Sequence, residues 1–264
     1  MNPSATSQLA EVSAHRALNA EYRLLELTAA PPATTAAPGQ FFQLLCPATG
    51  TDAPFLRRPM SVYAAEPGIV SFLYKITGAG TRGLASLQPG DRLDIFGPLG
   101  VGFSLDPAWN SIVAIGRGAG LATLAPLARA CASAGIGVTA ILSARRPELM
   151  VSDDVFAAAG ARVITVTDHE GTSGPAYVER LLRGLIAAGQ CDAMVTCGST
   201  RILKLLQRLG AEHAIPGQVA MEQQMACGLG MCFCCVKEFR EENATVHRRV
   251  CIEGPVFDIQ DAIA

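Results

Sequence analysis

Ser111-Ile-Val-Ala-Ile-Gly-Arg-Gly-Ala-Gly-Leu-Ala-Thr-Leu-Ala-Pro-Leu-Ala-Arg-Ala-Cys-Ala-Ser133 changes character halfway along. Ser111–Ile115 is a short apolar run suited to a strand covered on both faces, and Gly116–Gly120 is a glycine turn. Leu121–Ser133 is rich in Ala and Leu at helical spacing. The same rhythm continues downstream. Strands are expected at Val138–Ser143, Val163–Thr167, Ala193–Thr196 and Gln218–Met221, with helices at Asp153–Ala159, Pro175–Ala188 and Thr200–Leu209 between them. Alternation of this kind predicts a doubly wound parallel α/β sheet with helices on both faces.

Upstream the rhythm is different. Tyr22–Leu27, Phe41–Cys46, Met60–Ala64, Ile69–Ile76 and Arg92–Phe96 are short β-prone runs. Pro31-Pro32, Pro38-Gly39, Pro67-Gly68, Gly78–Gly80 and Pro89-Gly90 separate them. Short strands at this spacing predict a small antiparallel β-barrel that ends at Gly97-Pro98-Leu99-Gly100. Downstream, Glu222–Ala264 has little periodicity, so something other than a hydrophobic core of its own must hold it. The expected division is a barrel at 12–105, an α/β domain at 106–221 and a small C-terminal segment at 222–264.

Apolar residues make up 50% of the chain and charged ones 17%, which argues against long disordered tails. The net charge is −2, and no Lys/Arg run forms a stripe, so nucleic acid is not an expected partner. No apolar run has the length of a membrane span, and Met1–Ala10 lacks the pattern of a signal peptide. The expected location is the cytoplasm.

There disulfides are disfavoured, yet the chain has 9 cysteines. Cys46, Cys131, Cys191 and Cys197 are scattered and read as small hydrophobes. Cys227, Cys232, Cys234, Cys235 and Cys251 crowd the end. Cys227, Cys232 and Cys235 are spaced C-x4-C-x2-C with Cys251 downstream, the ligand spacing of a plant-type 2Fe–2S cluster. Gly228 and Gly230 let backbone amides approach the sulfurs, and Met225, Met231 and Phe233 can exclude water. Cys234 falls outside the register. A zinc site and free thiols are the alternatives, but a zinc ribbon uses two C-x2-C pairs and this chain has one.

Three weaker motifs accompany the cluster pattern. Arg58-Pro59-Met60-Ser61 offers a guanidinium for a pyrophosphate and a hydroxyl for a flavin ring, and Gly80-Thr81 offers an amide concavity for phosphates. An ordinary strand followed by a Gly-rich turn would read the same. Gly116, Gly118 and Gly120 stand where a βα turn binds a pyrophosphate, although such glycines also serve close packing. Ser143-Ala-Arg-Arg146 replaces the acid that usually follows the next strand. Cys197-Gly198-Ser199 lies at a strand's carboxyl end, where ligands of open sheets bind; the alternative is a buried thiol followed by a helix cap. His15, His169, His213 and His247 have no ligand-like spacing and read as structural or solvated.

Taken together, these motifs resemble the electron-transfer subunits of NAD-dependent dihydroorotate dehydrogenases, a branch of the ferredoxin reductase-like flavoproteins. The resemblance runs from about Tyr22 to Ala262. It rests on Arg58–Ser61, Leu73-Tyr-Lys75, Gly80-Thr81, Asp94-Ile-Phe-Gly-Pro-Leu-Gly100, the Gly116 turn and Cys197-Gly198. Above all it rests on Met225-Ala-Cys-Gly-Leu-Gly-Met-Cys-Phe-Cys-Cys235 and Cys251-Ile-Glu-Gly-Pro-Val-Phe257. It implies that Arg58, Pro59, Met60, Ser61, Leu73, Tyr74, Lys75, Gly80 and Thr81 contact FAD on the barrel. It also implies that NAD(H) or NADP(H) binds the α/β domain at Gly116, Gly118, Gly120 and Gly198, and that its nicotinamide works beside Cys197. Cys227, Cys232, Cys235 and Cys251 would hold the 2Fe–2S cluster. Two departures stand out: Arg117, where a small residue is usual, and Ser199, where a proline is usual.

A nicotinamide gives two electrons as a hydride and a 2Fe–2S cluster takes one, so a flavin belongs between them. The chain offers no evident site for an organic substrate. The resemblance therefore implies a catalytic flavoprotein partner subunit, FMN-containing in that family. The same cofactors would also suit a diaphorase or ferredoxin reductase-like subunit of another dehydrogenase or hydrogenase. A metal-stabilised redox-sensing or binding module is the reading from another class.

Overall fold

In the computed structural model, which describes residues 5–50, 53–242 and 244–263, alternation of apolar and polar side chains builds one seven-stranded antiparallel sheet. Its strands are β1 (Thr6–Ala17), β2 (Tyr22–Thr28), β3 (Phe41–Leu44), β4 (Arg58–Ser61), β5 (Ala64–Glu66), β6 (Ile69–Lys75) and β7 (Arg92–Leu99). A short helix, α1 (Ala79–Ala85), leads from β6 towards β7. The strand order is β4-β3-β7-β1-β2-β6-β5.

The two outermost strands, β4 and β5, are separated by Val62 and Tyr63 alone. Val62 donates its amide to Gln40 O at 3.0 Å beside β3, and Tyr63 donates to Ser71 O in β6 at 2.9 Å. The bend between them joins the two ends of the sheet, which removes the open edges an isolated sheet would present. Leu25, Leu27, Phe42, Leu44, Phe72, Tyr74, Leu93 and Ile95, every second residue of their strands, fill the interior. Phe42 and Phe72 meet edge to face with centroids 5.6 Å apart.

The second sheet alternates with helices: β8 (Ser111–Arg117), α2 (Gly120–Ser133), β9 (Gly137–Ala144), α3 (Asp153–Ala158), β10 (Arg162–Thr167), α4 (Pro175–Ala187), β11 (Ala193–Cys197), α5 (Thr200–His213) and β12 (Gly217–Ala220). Beyond the cysteine loop follow the hairpin β13 (Val236–Glu241) and β14 (Ala244–Arg249), the short helix α6 (Val250–Glu253) and β15 (Val256–Asp258). The order is β10-β9-β8-β11-β12-β15, parallel except for β15, which runs antiparallel to β12. Successive strands run one way from β8 and then the other way from β11. That reversal opens a crevice at the carboxyl ends of β8 and β11, where doubly wound sheets bind ligands.

The chain forms two compact units. The first comprises Met1–Gly102, Gln223–Lys237 and Arg249–Pro255, and the second Phe103–Glu222, Glu238–Arg248 and Val256–Ala264. The segment expected at 222–264 is thus shared between them. Besides the short elements within 222–264, β1 and α1 had no counterpart in the expected elements. β1 buries few side chains, Ala10 and Val12 among them, and shows no apolar alternation to betray it. α1 grows out of a Gly-rich stretch that reads as a turn, because Thr81 closes its first turn. Among the described residues, no helix is long and apolar enough to cross a membrane.

Phe72→Ala removes a fully buried ring from the barrel and is expected to cost about 3–5 kcal/mol. A urea titration followed by far-ultraviolet circular dichroism checks this through the loss of midpoint; an unchanged midpoint would contradict the packing described.

Candidate functional site

The cysteine loop lies on the outer face of the barrel. Gly228 and Gly230 have φ of 71° and 74°, the left-handed region that glycine enters without strain. A Cβ at Gly230 would stand 2.4 Å from Ile252 Cδ1, and one at Gly228 would stand 3.1 Å from Leu99 Cδ1 of β7. Backbone therefore occupies space that a side chain would otherwise need. Leu229 N points at Cys227 Sγ at 3.3 Å, Gly230 N at Cys251 Sγ at 3.2 Å and Cys251 N at Cys235 Sγ at 3.4 Å. Val250 N donates to Cys235 O at 3.2 Å, which sets α6 beside the loop.

The four thiols fall into two neighbouring pairs, Cys227 with Cys232 and Cys235 with Cys251. Burial pushes the Cys227 thiol up, but the amides of Leu229, Cys232 and Met231 and the Cys232 thiol outweigh it and bring it down to about 7. Burial and the neighbouring Cys235 hold the Cys251 thiol well above its usual range. Cys235 is 2% exposed. Cys234 is exposed and turns its sulfur to Gln224 O at 3.7 Å. Among the described residues, no three Cys, His, Asp or Glu side chains converge to hold a single metal ion. Two thiol pairs suit a group with two metal centres, two thiolates to each, better than one tetrahedral ion.

Gln43 of β3 faces this loop and is 0% exposed, yet neither its Oε1 nor its Nε2 has a hydrogen-bond partner. A Cβ at Gly228 would lie 3.1 Å from Gln43 Nε2. Leaving a buried amide unpaired costs about 1–3 kcal/mol, so the position calls for a partner. In the sequence Gln43 reads as an ordinary polar residue between Phe42 and Leu44.

The motif at Arg58–Ser61 forms β4, all four residues half-buried at one end of the sheet. Arg58 crosses the start of α1: a Cβ at Gly80 would stand 2.8 Å from Arg58 Cγ and Nε. The fold thus brings the arginine motif and Gly80 together. Thr81 is spent locally, since its hydroxyl accepts from Thr77 N at 2.8 Å and Gly78 N at 3.0 Å. Leu73 and Tyr74 are buried, and the Tyr74 hydroxyl meets His15 Nε2 at 2.9 Å, so the Tyr74 side chain acts in the packing of the barrel. Lys75 pairs with Glu21 at 2.6 Å.

In the second unit, Gly116 and Gly120 permit close packing: Cβ atoms there would meet Leu121 Cδ2 at 2.8 Å and Cys197 O at 2.7 Å. Gly118 donates its amide to Ser143 O at 3.2 Å. Cys197 is 1% exposed, and its thiol is pushed up to about 12 by burial and then by the charge of Glu222. A thiol so placed is no nucleophile at neutral pH. Gly198 has φ of 88°, and Ser199 caps α5 by accepting from Ile202 N at 3.4 Å.

A cleft lies at the strands' carboxyl ends, lined by Gly116, Arg117, Ser143, Ser173, Cys197 and Arg201 among others. Arg117 binds Asp168 with two nitrogens, at 3.0 and 2.6 Å, and Ser143 Oγ at 3.1 Å. Hydrogen bonds from Arg117 and then Ser173 hold the Asp168 carboxyl down to about 2. Arg145-Arg146 stand after β9, where an acid is usual. The acid that holds Arg117 of this lining, Asp168, follows β10 instead.

Residues 222–262 match the family model described as the iron-sulfur cluster binding domain of dihydroorotate dehydrogenase B. The dihydroorotate dehydrogenase B (NAD(+)) electron transfer subunit of Desulforamulus reducens is 32% identical over 235 residues, covering 88% of this chain and 89% of its own. The subunit of the same description from Streptococcus pneumoniae serotype 4 is 33% identical over 224 residues, covering 83% and 86%. Among solved structures, an NADH-dependent reduced ferredoxin-NADP oxidoreductase aligns with a TM-score of 0.80 at 24% identity, over 99% of this chain and 91% of that one. The ferredoxin reductase of carbazole 1,9a-dioxygenase aligns at 0.63 with 22% identity, over 80% and 67%. These structural likenesses place the chain in the ferredoxin reductase-like fold.

Burial sets which thiols can react. Iodoacetamide at pH 8 is expected to modify Cys234 and to spare Cys46, Cys131, Cys191 and Cys197 until the chain is unfolded. Peptide mass spectrometry checks the order, and labelling of Cys197 at the rate of Cys234 would contradict it.

Proposed function

This chain belongs to the family of dihydroorotate dehydrogenase B electron transfer subunits, and from that premise we propose that it passes electrons between a nicotinamide nucleotide and a catalytic partner subunit through FAD and a 2Fe–2S cluster. The observation that carries the reading is the pair of thiol pairs, Cys227 with Cys232 and Cys235 with Cys251, in a loop that aims backbone amides at three of the four sulfurs.

The proposed division of labour follows the motifs. Cys227, Cys232, Cys235 and Cys251 hold the cluster within 222–264. Amide donors at Leu229, Gly230 and Cys251 offset negative charge on the sulfurs, whereas Met231 and Phe233, expected to exclude water, are exposed and only Met225 is buried. FAD binds the barrel at 12–105, where Arg58 lies over Gly80 and offers its guanidinium to the pyrophosphate, while Ser61 and Met60 stand at the strand end beside it. Tyr74 acts there through the backbone, its side chain being committed to packing, and Leu73 stands beside it on β6. NAD(H) binds the crevice at 106–221, near Gly116, Gly118, Gly120 and Gly198. There Cys197 shapes the floor without ionising. Bound FAD supplies the exchange between two-electron hydride chemistry and one-electron transfer.

The partner is the subunit that handles dihydroorotate, an FMN-containing flavoprotein in this reading, and the pair works in the cytoplasm, where free thiols persist. NAD(H) is preferred to NADP(H) in this reading, because the relatives named above carry NAD(+) in their description.

Anaerobically reconstituted protein is expected to hold two irons, two sulfides and one FAD per chain. It should oxidise NADH with a dye acceptor and leave dihydroorotate unchanged until the partner is added. Cys235→Ser should lose the cluster while Cys234→Ser keeps it, as seen by electron paramagnetic resonance after reduction. Stoichiometric zinc with negligible iron and sulfide would overturn the cluster reading. Deleting 222–264 is not a clean test, because Val256–Asp258 is a strand of the second sheet. Cys227→Ser removes a ligand and leaves that strand in place.

A further inference from the structure

Gln43 belongs to none of the motifs above. It sits on the outward side of β3, since its neighbours Phe42 and Leu44 fill the barrel interior. An outward glutamine ordinarily meets water. This one is wholly buried, with the Gly228 turn against its side chain. Its backbone is fixed as well: Gln43 O accepts from Arg57 Nη1 at 3.4 Å, and Arg57 is clamped to Asp94 at 2.7 Å. In the strand register Gln43 stands opposite Pro59, inside the Arg58–Ser61 motif. A rigid, buried carboxamide with no partner on either polar atom therefore abuts the backbone beside Cys227 on one side and is cross-strand to the flavin motif on the other.

We propose that Gln43 is a positioning residue for the cluster: its side-chain amide donates a hydrogen bond to a sulfur of the bound cluster beside the Cys227–Gly228 turn and raises the reduction potential of the cluster. This rests on the reading of Cys227, Cys232, Cys235 and Cys251 as its ligands. The physical reason is charge. The reduced cluster carries one more negative charge than the oxidised one, so a donor in a dry setting favours the reduced form. The donor also answers the unmatched burial, because the sulfurs accept what no protein atom does. The glycine at 228 is what allows the amide to come this close; any side chain there would displace it.

The experiment uses the full chain, reconstituted with FAD, iron and sulfide, and begins with iron and sulfide analysis of the wild type. Absence of a cluster at that point would defeat the ligand assignment and not this inference. With the cluster present, glutamine labelled with ¹⁵N at the side-chain amide is introduced, and the reduced protein is measured by electron–nuclear double resonance. A ¹⁵N coupling is expected in the wild type and should be gone in Gln43→Leu. In a redox titration followed by electron paramagnetic resonance, the leucine variant should show about a tenfold lower ratio of reduced to oxidised cluster at the wild-type midpoint, or about 59 mV for a one-electron couple. Its iron content, FAD content and NADH–dye activity should stay unchanged. Should the leucine variant fail to retain the cluster, Gln43→Met, which keeps the unbranched stem, takes its place. No ¹⁵N coupling in the wild type, a coupling that survives in the variant, or an unmoved midpoint would each overturn the proposal.

Discussion

The cysteine loop depends on one close approach, that of the Gly228 and Gly230 backbone to its surroundings. A loop of this composition cannot bury an apolar core of its own, and its exposed Met231 and Phe233 do not supply one. Its position is set by where bare backbone can lie against Leu99, Gln43 and Ile252. Once the loop is down, amides of Leu229, Gly230 and Cys251 point at sulfur without further adjustment. The same contact buries Gln43. Sulfur geometry, amide donors and the buried amide follow from one packing constraint.

That constraint also explains how the C-terminal part is organised. Periodicity distinguishes the barrel from the α/β sheet because each has a hydrophobic core, and a core imposes a period. Residues 222–264 borrow from both cores and show no period of their own. Gln223–Lys237 and Arg249–Pro255 fold with the first unit, while Glu238–Arg248 and Val256–Ala264 fold with the second. β15 adds an antiparallel strand to β12 and covers an edge that would otherwise be open. Three of the proposed ligands and the fourth, Cys251, therefore come from two separate stretches of one unit. Metal-ligand spacing was legible without any of this, since the register of the cysteines survives whatever the loop packs on.

Other features were less legible, and each for a stated reason. β1 escaped because its neighbours in the sheet, β2 and β7, supply most of the apolar surface, leaving it polar along much of its length. Tyr74 stood in a motif but serves the barrel interior, which strand alternation, with Phe72 two residues before it, already indicates. Gln43 escaped because a polar residue on an outward face is unremarkable until something covers that face. Asp168 escaped because sequence order misleads about neighbours in a doubly wound sheet. The strands run β10-β9-β8 on that side, so the end of β10 lies two strands from β8 and still within reach of a long side chain.

Arg117 supplies that reach, and its presence in a turn where small residues are usual has a structural reason. The guanidinium spans the carboxyl end of β9, touching Ser143 on the way, and ends in a two-point bond to Asp168. A glycine or alanine at that position would leave Asp168 with Ser173 and the more distant charge of Arg201. With Arg117 present, the carboxylate and the guanidinium largely neutralise one another at the mouth of the crevice. An exposed pair of this kind adds little to stability. Its consequence lies in the field at the proposed nucleotide site. An isolated arginine would attract any phosphate that entered, whereas an arginine held by a carboxylate presents a dipole and a fixed shape. In the proposed nucleotide site the Arg117–Asp168 pair therefore contributes shape more than net charge, beside Arg201 in the lining.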